Sequence, residues 1–282
     1  MFDGDRMMDP RMRRAQQHAL RANEREITVG KVDIYLKTSA ERLRGEGIPL
    51  TTKGDVRIDM MAFGKSIYSG EVIAQDQRYV AMTKKQWQDE RARLGQKEED
   101  DSDKKLHQGE RLEMLKTALF QKYLGQDFIV VRSSEYDDVV GGVDNVIVDR
   151  RSGNLVCAFD EVGEDGGPVF EKKKNRVMVK NELGGARLKY GFSVCEGQII
   201  ILGPIDNIPI FYLAMSPDKI EAVLRSFDEQ GRLGQDGLAF KSFLDLILTQ
   251  IDELAKLDVK TQATLKEKAM RMGVILKQYQ NQ

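Results

Sequence analysis

The sequence predicts a mixed α+β protein, and three observations carry that reading. Between residues 128 and 214, short apolar runs bounded by turn residues alternate with helical patterns. A leucine stripe at helical spacing (Leu112, Leu115, Leu119) precedes those runs. Two long amphipathic patterns follow them, from Phe240 and from Leu265. Together these define a central α-β-β-β-α-β core at 106–232, an N-terminal helical and β extension at 1–95, an acidic linker at 96–105 and a C-terminal helical hairpin at 233–282.

The chain has 282 residues, enough for one domain with appendages or for two. Hydrophobic residues make up 41% of it, which supports a core, and 44 basic against 45 acidic side chains leave a net charge of -1. That balance gives no global attraction to polyanions, so a nucleic-acid site would need a local basic patch. Cys157 and Cys195 lie in apolar runs and read as buried thiols. Their number excludes a disulfide framework, and with His18 and His107 they make an implausible zinc set. The first residues contain no apolar stretch of secretory type, and no run approaches 18 apolar residues. No membrane association is expected, and the cytoplasm is the expected location.

In the extension, Arg11–Glu26 and Val32–Arg44 have helical composition. Val56, Ile58 and Met60 alternate with charged residues as in a half-buried strand, with Val72–Ala74 and Tyr79–Met82 as partners. Residues 84–95 return to a helical pattern containing Trp87. The acidic run from Gln96 to Asp103 has no apolar residue to offset its ordering entropy, so it reads as a linker.

The core opens with a helix near 107–124, stopped by Gly125. Strands follow at Phe128–Val131, Val143–Val148 and Leu155–Val162, the last two forming a hairpin around Arg150–Gly153. Glu171–Leu183 reads as a helix ended by Gly184-Gly185. Leu188–Cys195, Gln198–Leu202 and Ile208–Ala214 read as strands, and Ser216-Pro217 starts a helix. In the C-terminal hairpin, Phe240, Phe243, Leu244, Ile247, Ile251 and Leu254 form one narrow stripe, and Leu265, Ala269, Met272, Leu276 and Tyr279 form another. These stripes suit docking on the chain itself, self-association, or a partner helix through 240–279.

Asp144 opens one strand of the hairpin and Asp160 lies near the end of the next. Aspartate is unfavourable inside a strand of Val, Cys, Ala and Phe, which singles out Asp160. In a hairpin of this length both carboxylates are expected at one edge, where they would attract a hard cation such as Mg²⁺. The element order, the two acids sixteen residues apart and the approach Tyr136-Asp-Asp…Gly142-Val-Asp144 resemble the PD-(D/E)xK, or restriction-endonuclease-like, nuclease superfamily. The resemblance implies a Mg²⁺-dependent nuclease core with Asp144 and Asp160 as metal ligands and catalytic residues. It also implies a lysine at residue 162, which is Val162 here.

Two outcomes follow from that departure. The lysine is supplied by the next helix, where Lys172 and Lys174 are the catalytic candidates, or the site does not catalyse and the fold serves binding. Glu171–Tyr190 holds seven Lys or Arg against two Glu, a local +5, and Lys172, Lys173, Lys174 and Arg176 are its phosphate-binding candidates. Glu110 or Glu113, on the preceding helix, could add a further acid. The alternative function is a scaffold or interaction protein acting through the helical hairpin.

Overall fold

The computed structural model describes residues 30–63, 67–93, 108–162, 165–195, 198–228, 230, 237–256 and 263–280. The expected helix at Arg11–Glu26, the acidic linker, His18 and His107 lie outside them, as does the side chain of Glu110.

A four-stranded mixed sheet organises the molecule. It comprises β1 (Phe128–Arg132), β2 (Asn145–Asp149), β3 (Leu155–Val162) and β6 (Ile210–Ala214), in that spatial order. The first three strands are an antiparallel meander, and β6 lies parallel to β3 with Asp160 opposite Tyr212. A parallel neighbour requires a crossover, which α5 (Gly167–Glu182) and an antiparallel ribbon of β4 (Ala186–Cys195) and β5 (Gln198–Ile208) provide. Helix α3 (Gln108–Leu124) precedes the sheet, α4 (Glu135–Val139) joins β1 to β2, and α6 (Pro217–Leu224) follows β6. The chain order α3, β1, α4, β2, β3, α5, β4, β5, β6, α6 makes this a mixed α+β arrangement, with α4 between the first two strands and the ribbon before the last.

The sheet is apolar on both faces, so it needs a cover on each. On one face Phe128, Val130, Ile147, Phe159 and Phe211 pack with α3, α6 and the two C-terminal helices, α7 (Gly237–Lys256) and α8 (Ala263–Gln280). On the other, Ile129, Val131, Val146, Ala158 and Ile210 pack with Val177 of α5, the ribbon and the N-terminal extension. Phe243 and Ile247 are fully buried in the first of these layers. The hairpin stripes thus dock on their own chain. A partner at 240–279 would have to use what they leave outside, such as Met270 and Val274. Cys157 is buried under the same layer, while the side chain of Cys195 is outside the described set.

The extension departs from the expected β element. Helix α1 covers 30–45, in line with the sequence reading, but Val72–Ala74 and Tyr79–Met82 belong to one long helix, α2 (Gly70–Arg93), rather than to strands. Ile73, Asp76 and Val80 are its buried positions, spaced three and four apart, which is a helical period. Val56 makes only an isolated bridge to Leu50 and lends its N–H to Arg132. Helix α5 begins four residues before Glu171 because Pro168 sits at its first turn, where no N–H is needed. Among the described residues, no helix is long and apolar enough to cross a membrane.

Candidate functional site

The alternation of β3 sends its two acids to opposite covers. Glu161 follows Cys157 and Phe159 toward α3, and Asp160 follows Ala158 toward α5. Both are buried, Asp160 at 0% exposure and Glu161 at 3%. A buried carboxylate needs a counter-charge, and each finds a different one. Lys173 lies 2.9 Å from Asp160 Oδ1, and Arg176 grips Oδ2 with Nε at 3.0 Å and with Nη2. Glu161 pairs with Lys116 of α3, itself fully buried and 5.2 Å from the Phe159 ring centroid. Asn145 Nδ2 also donates to Glu161 Oε1 at 3.3 Å.

Asp144, half-buried just before β2, accepts the Glu161 N–H at 2.6 Å. Its carboxyl is also within hydrogen-bonding range of the Glu161 carboxyl and of the Asp138 carboxyl from α4. The structure therefore brings Asp144 to Glu161, whereas the Asp160 carboxylate is closed by α5. Glu161 Oε2 is buried with no hydrogen-bond partner. Two carboxylate oxygens cannot share this space without a proton or a cation between them.

The electrostatics follow from that crowding. Burial drives Glu161 well above the carboxylate range against the pull of Lys116, and Asp144 and Glu113 push it further. Loss of solvent also works on Asp144. The hydrogen bonds from Glu161 and the Lys173 and Lys116 cations outweigh it and leave Asp144 low. Desolvation against the cluster, then the Asp144 and Glu113 carboxylates, push Asp138 up to about 8. Burial raises Glu113 even though Arg132 pairs with it. Burial lowers Lys116, whereas Asp144 and Asp160 overcome burial at Lys173 and raise it.

The basic candidates separate in the same way. Lys173 faces the acids, donating to the Glu161 carbonyl as well as pairing with Asp160. Lys180, two turns on, donates to the carbonyls of Gly141 and Gly142. Gly142 has the left-handed φ of 54° that favours glycine, and a Cβ there would stand 3.1 Å from the side-chain ends of Arg176 and Lys180. Lys172 is exposed and Lys174 half-buried, on the outer side of α5.

Three members of the cluster were not among the residues singled out from sequence: Glu161, Lys116 and Asp138. One signal for them was present. Lys116 interrupts the α3 stripe between Leu115 and Leu119, at a position that must be buried if the helix packs.

Among the described residues, no three of His, Cys, Asp and Glu are arranged to hold a metal ion. Mg²⁺ does not require three, because it is commonly bound through one or two carboxylates with water and substrate phosphate completing its shell. The neighbouring Asp144 and Glu161 carboxyls suit that arrangement in donor type. Asp160 suits it less, since two cations, Lys173 and Arg176, close it, whereas Glu161 has one, Lys116. No family model, no curated protein and no solved structure matches the chain.

Proposed function

We propose that the core is a divergent nuclease-like domain that takes Mg²⁺ at Asp144 and Glu161 and acts on or binds DNA or RNA. The observation that carries this is the approach of the Asp144 carboxyl to the buried Glu161 carboxyl where β2 and β3 meet. The resemblance to the PD-(D/E)xK superfamily supports it, with Glu161 taking the place that sequence alone suggested for Asp160. A divalent cation held there would lower the pKa of bound water and offset charge on a phosphodiester. Two cations of this chain stand beside the pocket: Lys116, paired with Glu161, and Lys173, held by Asp160 and the Glu161 carbonyl. Asp160 and Arg176 then serve to fix α5, and Lys172 and Lys174 stand outside for phosphates further along the strand.

The test is a cleavage assay on duplex DNA, single-stranded DNA and RNA with Mg²⁺ or Mn²⁺. Cleavage is expected, and Asp144→Asn or Glu161→Gln should each reduce it by about a hundredfold or more. A wild-type chain inert toward every substrate would remove the catalytic reading.

Nucleic-acid binding without cleavage is the second reading, and one observation favours it. Residue 162 is valine, and Asp160, two residues before it, is closed by two α5 cations. It is distinguished by binding that persists without turnover, weakens steeply with salt and falls on Lys172→Glu or Lys174→Glu.

A further inference from the structure

The two outer carboxylates of the pocket, Glu113 and Asp138, are both held from the N-terminal extension. The first link runs through Arg132. Its guanidinium pairs with Glu113 and lies 3.3 Å from Asp55, on the segment between α1 and α2. The backbone supports that contact, because Asp55 bridges to Arg132 and Val56 donates its N–H to the Arg132 carbonyl at 3.2 Å.

The second link runs through α4, whose five residues carry contacts on several sides. Lys84 of α2 reaches Glu135 at 3.1 Å. Tyr136, with Tyr68 and Tyr190, surrounds the Lys189 ammonium at 4.9, 5.4 and 5.9 Å. That ammonium lies 2.5 Å from Asp76 of α2, which also accepts the Tyr190 hydroxyl at 2.6 Å. Asp137 accepts the backbone N–H groups of Lys189 and Tyr190 at 2.7 and 3.1 Å. The next residue in the helix is Asp138, which faces Asp144.

We infer that residues 50–63 and 67–84 act as a positioning element for the acidic pocket. It holds Glu113 through Asp55 and Arg132, and Asp138 through α2 and α4. This rests on the pocket reading above for its consequence, but the mechanical link does not depend on any bound ion. Five-residue α4 makes too few intrahelical bonds to be stable alone, so its geometry is set by what grips it. Charge is set in the same way. Asp55 shares the Arg132 cation with Glu113, so neutralising Asp55 leaves the pocket edge more positive.

The test compares full-length wild type, Asp55→Asn, Asp55→Glu, Lys84→Ala and Asp144→Asn. Isothermal titration with Mn²⁺ reads the pocket, thermal melting reads the fold, and amide hydrogen exchange without metal reads the link. Wild type should bind Mn²⁺ and Asp144→Asn should not. Asp55→Asn should weaken binding roughly threefold to tenfold at a nearly unchanged melting temperature, and Asp55→Glu should restore it. In metal-free protein, Lys84→Ala and Asp55→Asn should speed exchange across 135–145. If wild type binds no Mn²⁺, the pocket reading fails while the exchange data still decide the positioning role. Unchanged exchange in both variants overturns the inference, as does unchanged Mn²⁺ affinity in Asp55→Asn when wild type binds.

Discussion

Glu161 and Asp144 share one small volume, and their acidities move in opposite directions, which makes their pH signatures separable. Glu161 is raised, so the native chain holds its proton more tightly than the unfolded chain does. Its contribution favours folding at low pH and is lost as pH rises from the ordinary carboxylate range through the raised value. Asp144 is lowered, so its contribution is present above the ordinary carboxylate range and lost as pH falls through the lowered value. Melting temperature against pH should therefore fall less on the alkaline side in Glu161→Gln than in wild type, and less on the acid side in Asp144→Asn. Lys116 belongs to the same unit. Lys116→Met leaves Glu161 buried without its cation and should cost about 3 kcal/mol by urea unfolding. Adding Glu161→Leu should recover much of that loss. Cys157, raised by burial, is expected to resist iodoacetamide in the native protein and to react on unfolding, as read by peptide mass mapping.

Among the elements, α7 and α5 make the sharpest contrast between an apolar stripe and a charged one. The stripe of α7 packs on β6, α3 and α8 within its own chain. Phe243→Ala should therefore cost about 3–5 kcal/mol in unfolding free energy without changing molecular mass in light scattering. A mass change at unaltered stability would instead indicate an intermolecular helix pair. In α5 the inward residues Lys173, Arg176 and Lys180 serve Asp160 and the Gly141-Gly142 carbonyls. The apparent +5 patch of the sequence is thus largely engaged, and Lys172 and Lys174 remain as the freer cations for nucleic acid. The strands were legible because each is a bounded apolar run, as at Phe128–Arg132 and Leu155–Val162. The site was legible only in part. The alternation of β3 puts Asp160 and Glu161 on opposite faces, but which of the two faces Asp144 depends on the path of the chain before β2, and no local pattern encodes that path.

For the whole molecule, the instructive departure is the N-terminal extension. Val56, Ile58 and Met60 alternate as a strand would, yet Met60 is 49% exposed and Val56 is the one buried deeply. Val72 to Met82 contains enough β-branched and aromatic residues to suggest strands, but tertiary burial selects Ile73, Asp76 and Val80 and with them a helix. The buried Asp76 in that row makes sense only once Tyr190 and Lys189, over a hundred residues later, supply its partners. Long-range ion pairs of this kind link the extension to the core. Acids from α3, α4, β3 and the loop before β2 also come together where the inner strands β2 and β3 meet.

That point can be probed directly by anomalous diffraction from crystals soaked in Mn²⁺. The expected result is one strong peak about 2.1 Å from oxygens of Asp144 and Glu161, with Asp160 still gripped by Lys173 and Arg176. A peak at Asp160, or none between Asp144 and Glu161 at saturating Mn²⁺, would contradict a cation-binding role for this pocket.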